Sequence, residues 1–180
     1  MTQIVIVSGP PGAGKSSACE ALCERYDRTV HLQTDDVFGW IRMGFRSPWK
    51  PGSNDQNIAV SRACARAATS FVQARYGVFI DGVIGAHLLL VYVEELRVAE
   101  VPVHYAIVRP SLETAKSRAN ARDRRLDHIE LALWENVYGM FAQPPAAGVL
   151  IDNTGLTADQ VADRIMEACG SGEALLWAPG

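Results

Sequence analysis

The sequence lacks the features that mark several classes of protein. No apolar stretch reaches the roughly 18 to 20 residues that a bilayer-spanning helix needs, and no basic segment precedes the short apolar run at the amino terminus. The four cysteines form no Cys-x-x-Cys pair and the four histidines are scattered, which argues against a zinc site or a disulfide framework. We therefore expect a cytoplasmic protein with buried free thiols and no membrane partner.

The charge and composition also bear on the number of domains and on the class of binding partner. The formal net charge is -3, so the chain has no general attraction for nucleic acid, whose binding depends on many Lys and Arg contacts to phosphate. Hydrophobic residues make up 48% of the 180 residues, as in an ordinary globular protein of one domain. These values favour a single domain and make nucleic acid the weaker candidate partner.

Short apolar runs alternate with longer helical segments. The runs, rich in β-branched residues, predict five strands at 3–7, 29–33, 78–80, 103–108 and 149–151. The segments between them predict helices at 15–26, 56–75, 86–99, 112–122, 128–141 and 158–169. This alternation predicts an α/β fold with a parallel sheet covered by helices on both faces.

The last predicted helix sets the expected carboxyl-terminal boundary of the domain. Thr157 and Gln160 have the spacing of a capping box for the last helix. Residues 1–170 are therefore expected to form the domain. We expect residues 171–180 to form a loose tail, although its apolar residues could instead dock on the domain; these are Leu175, Leu176 and Trp177.

The most specific motif follows the first predicted strand. It fits the phosphate-binding pattern G-x-x-x-x-G-K-[ST], with a strand before it and a helix after it. The backbone N–H groups of such a loop surround a polyphosphate, Lys15 reaches the terminal phosphates, and Ser16 ligates Mg²⁺. We expect ATP and Mg²⁺ to bind here, through Gly9, Pro10, Pro11, Gly12, Ala13, Gly14, Lys15, Ser16 and Ser17.

Acidic residues end two of the predicted strands. Asp35 and Asp36 follow the second strand and Asp81 ends the third, so all three should lie at the same sheet edge as the phosphate loop. Asp35 is our candidate for the base that accepts the proton of an attacking hydroxyl. Asp36 and Asp81 are candidates for the metal or the acceptor. Two alternatives remain open: Asp36 could be the base, or it could cap a helix.

A group of arginines follows the fourth strand. Arg118, Arg122, Arg124 and Arg125 cluster towards the end of a predicted helix. They could form an ordinary solvated basic face, or a lid at about 118–130 that closes on the phosphates. We favour the lid, with Arg118 and Arg122 as its catalytic residues.

Aromatic and basic residues alternate just beyond the paired acids. On a helix, Phe38, Ile41 and Phe45 would share one face, which suggests that they belong to the core. The rest would suit an organic acceptor, and these are Trp40, Arg42, Arg46 and Trp49. His87 and His104 are expected to be structural.

Taken together, these motifs resemble the small P-loop kinases of the nucleoside-monophosphate-kinase-like group. The likeness is greatest to the chloramphenicol phosphotransferase, zeta-toxin and polynucleotide-kinase types. It implies a sheet of order 2-3-1-4-5, Asp35 as the base, lid contacts from Arg118 and Arg122, and an adenine site beside Asn153, Thr154 and Gly155.

One departure from the resemblance concerns the acceptor. Polynucleotide kinases carry a basic residue soon after the paired acids, whereas Val37, Phe38 and Gly39 stand here. We therefore expect a kinase that phosphorylates a hydroxyl of a small molecule, such as an antibiotic or a metabolite. The alternatives are a nucleotide sugar or a nucleic-acid end as acceptor, or a regulatory ATPase without an acceptor. The oligomeric state stays open.

Overall fold

The fold is organised around a mixed sheet of six strands. The computed structural model describes residues 2–122, 131–143 and 145–179. Five parallel strands lie in the order β2-β3-β1-β4-β5. They are β1 (Ile4–Ser8), β2 (Thr29–Gln33), β3 (Gly77–Gly82), β4 (Val103–Val108) and β5 (Val149–Ile151). The predicted α/β fold and strand order are confirmed.

Helices cover both faces of this sheet. The described helices are α1 (Lys15–Cys23), α2 (Thr34–Gly39), α3 (Asn54–Gln73), α4 (Ala86–Leu96), α5 (Leu112–Arg122), α6 (Leu131–Gly139) and α7 (Ala158–Ser171). The short helix α2 is absent from the prediction, because six residues are too few to show a helical period. None of the described helices has both the length and the apolar character that a membrane span requires.

Alternate residues of the central strand feed two separate cores. Ile4 and Ile6 of β1 face α3 and α4, whereas Val5 and Val7 face α1 and α7, and all four are almost completely buried. This period of two is the geometry of a strand covered on both sides. All four cysteines are free thiols, and three of them are buried.

The carboxyl-terminal segment differs from the expected loose tail. Helix α7 begins at the predicted capping box, in which the Gln160 N–H donates to Thr157 Oγ1 at 3.2 Å. After it, β6 (Leu175–Trp177) pairs antiparallel with Val103 and His104 of β4. Strand β5 pairs only with residues 106–108 of β4, so the first half of that edge is free to accept a partner.

Candidate active site

The loop between β1 and α1 has the conformation that its glycines allow. Gly12 and Gly14 have φ values of 72° and 88°, in the left-handed region. A Cβ on Gly12 would stand 2.1 Å from the Ala115 carbonyl oxygen, so α5 packs directly against the loop. Only glycine permits both the turn and this close approach.

Lys15, the first residue of α1, lies over the phosphate loop. Its Nζ donates to the Pro10 carbonyl oxygen at 3.1 Å. Ser16 and Ser17 follow in the first turn and are half-buried. The ammonium group thus lies at the loop, next to the amino end of α1, and this combination suits a polyanion.

Asn153 supports the loop from the side of β5. Its Nδ2 donates to the Ala13 carbonyl oxygen at 2.7 Å, and the residue is only 2% exposed. Thr154 and Gly155 are exposed next to it. The predicted adenine contact of these three residues stays a prediction, and the structure adds a positioning contact from Asn153.

Arg118 lies beside the loop, as a lid residue should. Its Nη1 and the Asn153 Nδ2 are each 3.7 Å from the position that a Cβ on Gly14 would take. The side chain of Arg122, and Arg124 and Arg125 as a whole, lie outside the described residues. The lid and its catalytic role remain predictions.

Asp35 stands in the first turn of α2, at the sheet edge that carries the phosphate loop. Partial burial raises the pKa of its carboxyl group, Lys15 lowers that pKa, and Asp81 and Asp36 raise it. The opposing effects of Lys15 and the two other carboxylates place Asp35 in a cluster of charged groups at this edge. A base with a pKa above the usual aspartate range is better matched to neutral pH.

Asp36 is exposed on the same turn. It does not cap α2, because that helix begins at Thr34 and its N-cap residue is Gln33. The capping alternative is therefore wrong. Its candidate role near the metal or the acceptor stays a prediction.

Asp81 is held below this surface by a histidine. The Asp81 Oδ2 lies 2.6 Å from His31 Nε2, and the side chains are 8% and 15% exposed. The Cys19 Sγ lies within 4.8 Å of the ligand atoms of both residues. Sequence reasoning missed this pair, although a histidine on the strand beside a strand-end acid was a usable signal. The metal role of Asp81 stays a prediction.

A mostly apolar cavity opens next to Asp35. Its volume is about 130 Å³. Pro11 of the phosphate loop is one of its lining residues, so the cavity borders that loop. It is lined by Pro11, Thr34, Asp35, Phe38, Pro48, Trp49, Asn57, Val60, Ser61, Val83, Ile84, His87, Leu88, Val137 and Met140.

Buried hydrogen bonds fix one wall of the cavity. Ser8 Oγ donates to the Ile84 carbonyl oxygen and accepts from the Ile84 N–H, both at 2.9 Å. The Tyr105 hydroxyl donates to the same carbonyl at 2.8 Å. Side chains from the end of β1 and from within β4 therefore hold the segment after β3 in place.

Only part of the predicted acceptor site lines this cavity. Trp49 contributes to it, whereas Trp40, Arg42 and Arg46 do not, and Trp40 is 68% exposed. These three side chains follow the end of α2 at Gly39 and are exposed to solvent. As acceptor contacts, these three stay predictions.

The prediction that Phe38, Ile41 and Phe45 belong to the core is confirmed in part. Phe38 and Ile41 pack against the core, and Phe38 also lines the cavity. Phe45 is 50% exposed and meets Phe38 edge-on, with ring centroids 6.4 Å apart. One residue can thus serve both core and pocket.

The cavity is also lined by residues that the sequence analysis did not assign to the acceptor site. Asn57 and Ser61 come from α3, Met140 follows α6, and His87, expected to be structural, comes from α4. They lie tens of residues from Asp35, and only the packing of α3 and α4 on the sheet brings them to it. His104 is buried, but its Nδ1 has no hydrogen-bond partner among the described residues.

A family model described as an AAA domain matches residues 4–144. The chain belongs to this AAA domain family. No protein of curated function matches the sequence. The AAA domain assignment therefore rests on a match that covers the loop, the acids, the cavity and α5.

Solved structures with this AAA domain fold include small kinases. The tunicamycin resistance protein of Deinococcus radiodurans is 18% identical, with all of both chains covered and a TM-score of 0.71. A gluconokinase from Sinorhizobium meliloti 1021 is 18% identical over 96% of this chain and 94% of that one, with a TM-score of 0.68. The APS kinase of Mycobacterium tuberculosis, solved with AMPPNP and APS, is 15% identical over 93% and 97%, with a TM-score of 0.66. The predicted resemblance to small P-loop kinases is confirmed at the level of fold.

Proposed function

We propose that this protein is an ATP-dependent kinase that transfers the γ-phosphate to a hydroxyl of a small molecule. The observation that carries the proposal is the position of Asp35. This residue lines the mostly apolar cavity and interacts electrostatically with Lys15 of the phosphate loop. A group between these two residues would meet a base on one side and a cation on the other.

The proposed reaction needs little covalent chemistry from the protein. The acceptor hydroxyl binds in the cavity and gives its proton to Asp35, while its oxygen forms a bond to the γ-phosphorus. The bond from that phosphorus to the β–γ bridging oxygen breaks, and ADP leaves. Lys15 and Arg118 neutralise charge on the transferred group, and the loop amides hold the rest of the triphosphate.

The oxygen-bearing side chains near the loop fit Mg²⁺, which prefers hard oxygen ligands. The half-buried Ser16 hydroxyl would hold it, with Asp36 and Asp81 as the acidic candidates. When bound, the ion would neutralise charge on the phosphates.

The alternative of a regulatory ATPase fits this structure less well. Such a protein has no need of a mostly apolar cavity lined by a candidate base. A nucleotide-sugar or nucleic-acid acceptor keeps the same chemistry and differs only in what fills the cavity.

The direct test is transfer of label from γ-labelled ATP to a panel of alcohols that includes metabolites and antibiotics. We expect label on at least one acceptor with the wild-type protein and none with Lys15→Ala. Slow release of inorganic phosphate that no acceptor changes, together with nucleotide-dependent binding of another protein, would instead support the regulatory ATPase.

A further inference from the structure

A second, more open groove adjoins the cavity beside Asp35. Its volume is about 730 Å³, and it shares four lining residues with the cavity, namely Asp35, Phe38, Pro48 and Trp49. Binding sites for small organic molecules usually measure about 300–1,000 Å³. The cavity alone, at about 130 Å³, falls short of that range, whereas the groove lies within it. An acceptor whose hydroxyl reaches Asp35 can therefore extend into the groove.

Aromatic rings line this groove and remain accessible. Phe45 and Trp49 are 50% and 45% exposed, and both belong to the lining. Phe38 lines the groove as well as the cavity and meets the Phe45 ring edge-on. Accessible aromatic rings can pair with a ring of a ligand, and such pairs gain free energy beyond that of the area they bury.

The segment that leads into Trp49 is held in one conformation by α3 and the residue before it. The Arg46 N–H donates to Gln56 Oε1 at 2.9 Å, and Gln56 Nε2 donates to the Arg46 carbonyl oxygen at 2.7 Å. The Pro48 carbonyl oxygen accepts from Ser53 Oγ at 2.6 Å and from Asn57 Nδ2 at 2.7 Å. Half-exposed aromatic rings on a segment fixed in this way indicate a preorganised binding surface.

We propose that the acceptor is an alcohol that carries an aromatic ring, and that the ring lies in the groove against Trp49 while the hydroxyl reaches Asp35. This inference rests on the proposed kinase function, because that function places the hydroxyl at Asp35. Trp49 is a specificity-determining residue in this account, since it lines both the cavity and the groove. Trp40, the other tryptophan of this segment, lines neither of them.

Three uncharged alcohols with the same hydroxyethyl group separate the effect of the ring from that of the hydroxyl. They are 2-phenylethanol, 2-cyclohexylethanol and ethanol. The cyclohexyl ring is the more hydrophobic, so burial of apolar surface alone would favour it over the phenyl ring. Saturation-transfer NMR follows the protons of each alcohol, so the same titration serves the wild-type protein and every variant without ATP.

We expect 2-phenylethanol to bind about two- to tenfold more tightly than 2-cyclohexylethanol, which is the usual gain from an aromatic pair. Ethanol should bind at least about tenfold more weakly than 2-phenylethanol, because it leaves the groove empty. A cyclohexyl alcohol that binds as tightly as the phenyl alcohol, or more tightly, would overturn the aromatic acceptor. Ethanol binding as tightly as 2-phenylethanol would overturn the use of the groove.

Two tryptophans nine residues apart allow the effect to be assigned. Trp49→Leu should remove the preference for the phenyl over the cyclohexyl alcohol, and Trp49→Phe should keep most of it. Trp40→Leu should keep the preference, because Trp40 does not line the groove. An unchanged preference in Trp49→Leu, or an equal loss in Trp40→Leu, would contradict the role of Trp49.

A second measurement covers the case in which Trp49→Leu does not fold. In protein labelled with 5-fluorotryptophan, Trp49→Phe assigns the ¹⁹F signal of Trp49 by its loss. That signal should shift on addition of 2-phenylethanol while the signal of Trp40 does not. A Trp49 signal that stays in place at saturating alcohol would overturn the proposal.

The kinase function and this preference fail in different ways. Label transfer from ATP that favours the cyclohexyl alcohol or ethanol would support the kinase and overturn the aromatic acceptor. Absence of transfer to any alcohol, with a phenyl preference that still depends on Trp49 in the binding experiment, would overturn the kinase and leave the aromatic groove standing.

Discussion

The nucleotide side and the acceptor side that we propose for this molecule are built in opposite ways. The phosphate loop is one continuous stretch, residues 9–17, whose backbone forms the surface. The cavity takes its side chains from four helices, α2, α3, α4 and α6, and from the loops between elements. In the proposed function, local backbone would therefore bind the nucleotide, and side chains that tertiary packing brings together would bind the acceptor.

Their electrostatics differ as well. The nucleotide side presents Lys15, Arg118 and the amino end of α1, whereas the described cavity lining has one carboxylate and no Lys or Arg. Asp35 lies where the two meet. The following changes test this division, beginning with the largest expected effect.

Lys15→Ala should lower phosphoryl transfer by about 10³-fold or more, because the terminal phosphates lose their fixed cation. The rate of label transfer at saturating ATP measures this. Lys50→Ala, at an exposed residue outside the cavity lining, is the matched control and should keep near wild-type turnover. Turnover of Lys15→Ala near wild type would remove the loop from the reaction.

Asp35→Asn should cut transfer by about 10²-fold or more while ATP affinity stays within a few-fold, since only the acceptor loses its base. Single-turnover rates and nucleotide titration separate the two quantities. Asp36→Asn is the comparison, and a larger effect there would assign the base to Asp36 instead.

Arg118→Ala should lower kcat by about tenfold or more with little change in thermal stability, because its guanidinium acts on the transferring group. Steady-state kinetics and a melting curve measure the two effects. Arg97→Ala, at an exposed residue that follows α4, is the control. An effect on melting alone would make Arg118 a structural residue.

Asn153→Leu should weaken both the fold and the nucleotide site, because the Ala13 carbonyl loses its buried donor. We expect the free energy of unfolding to fall by about 1–3 kcal/mol and ATP affinity to fall with it. Denaturant unfolding and nucleotide titration measure these changes. Thr154→Ala, at the exposed neighbour, should have the smaller effect on unfolding, and equal losses would contradict the support role.

The smallest effect concerns pH. Asp35 must be ionised to accept a proton, so kcat/KM should decline as the pH falls through its raised pKa, above the ordinary value of 3.8. A raised pKa also means that the folded state binds this proton more tightly than the unfolded chain does. Ionised Asp35 is therefore unfavourable for folding at neutral pH, and Asp35→Asn should not lower the melting temperature there. An acid limb at or below the ordinary value would contradict the burial of this carboxyl group.

The fold and the phosphate loop could be predicted because their signals are local. Strand periodicity, the spacing of Gly9, Gly14 and Lys15, and the capping box at Thr157 are each read within a few residues. The position of Asp35 beside the loop followed from the rule that ligands bind at the carboxyl ends of parallel strands.

The rest depended on contacts between distant segments. Trp40 and Arg42 stand near Asp35 in sequence, yet both are exposed and do not line the cavity, while Asn57 and His87 reach the cavity from other helices. To predict strand β6, one must know that β5 leaves half of one edge of β4 unpaired. To predict the His31–Asp81 pair, one must know the register of β2 on β3. None of these is visible in a window of one element.

The central claim is that the loop at 9–17 holds the triphosphate while Asp35 faces the γ-phosphorus across the mouth of the cavity. A crystal structure with Mg²⁺ and a non-hydrolysable ATP analogue tests it most directly. The account predicts the γ-phosphate beside Lys15 Nζ with the Asp35 carboxylate directed towards it. Nucleotide bound elsewhere, or an Asp35 side chain turned away from the phosphate in a closed complex, would contradict the account.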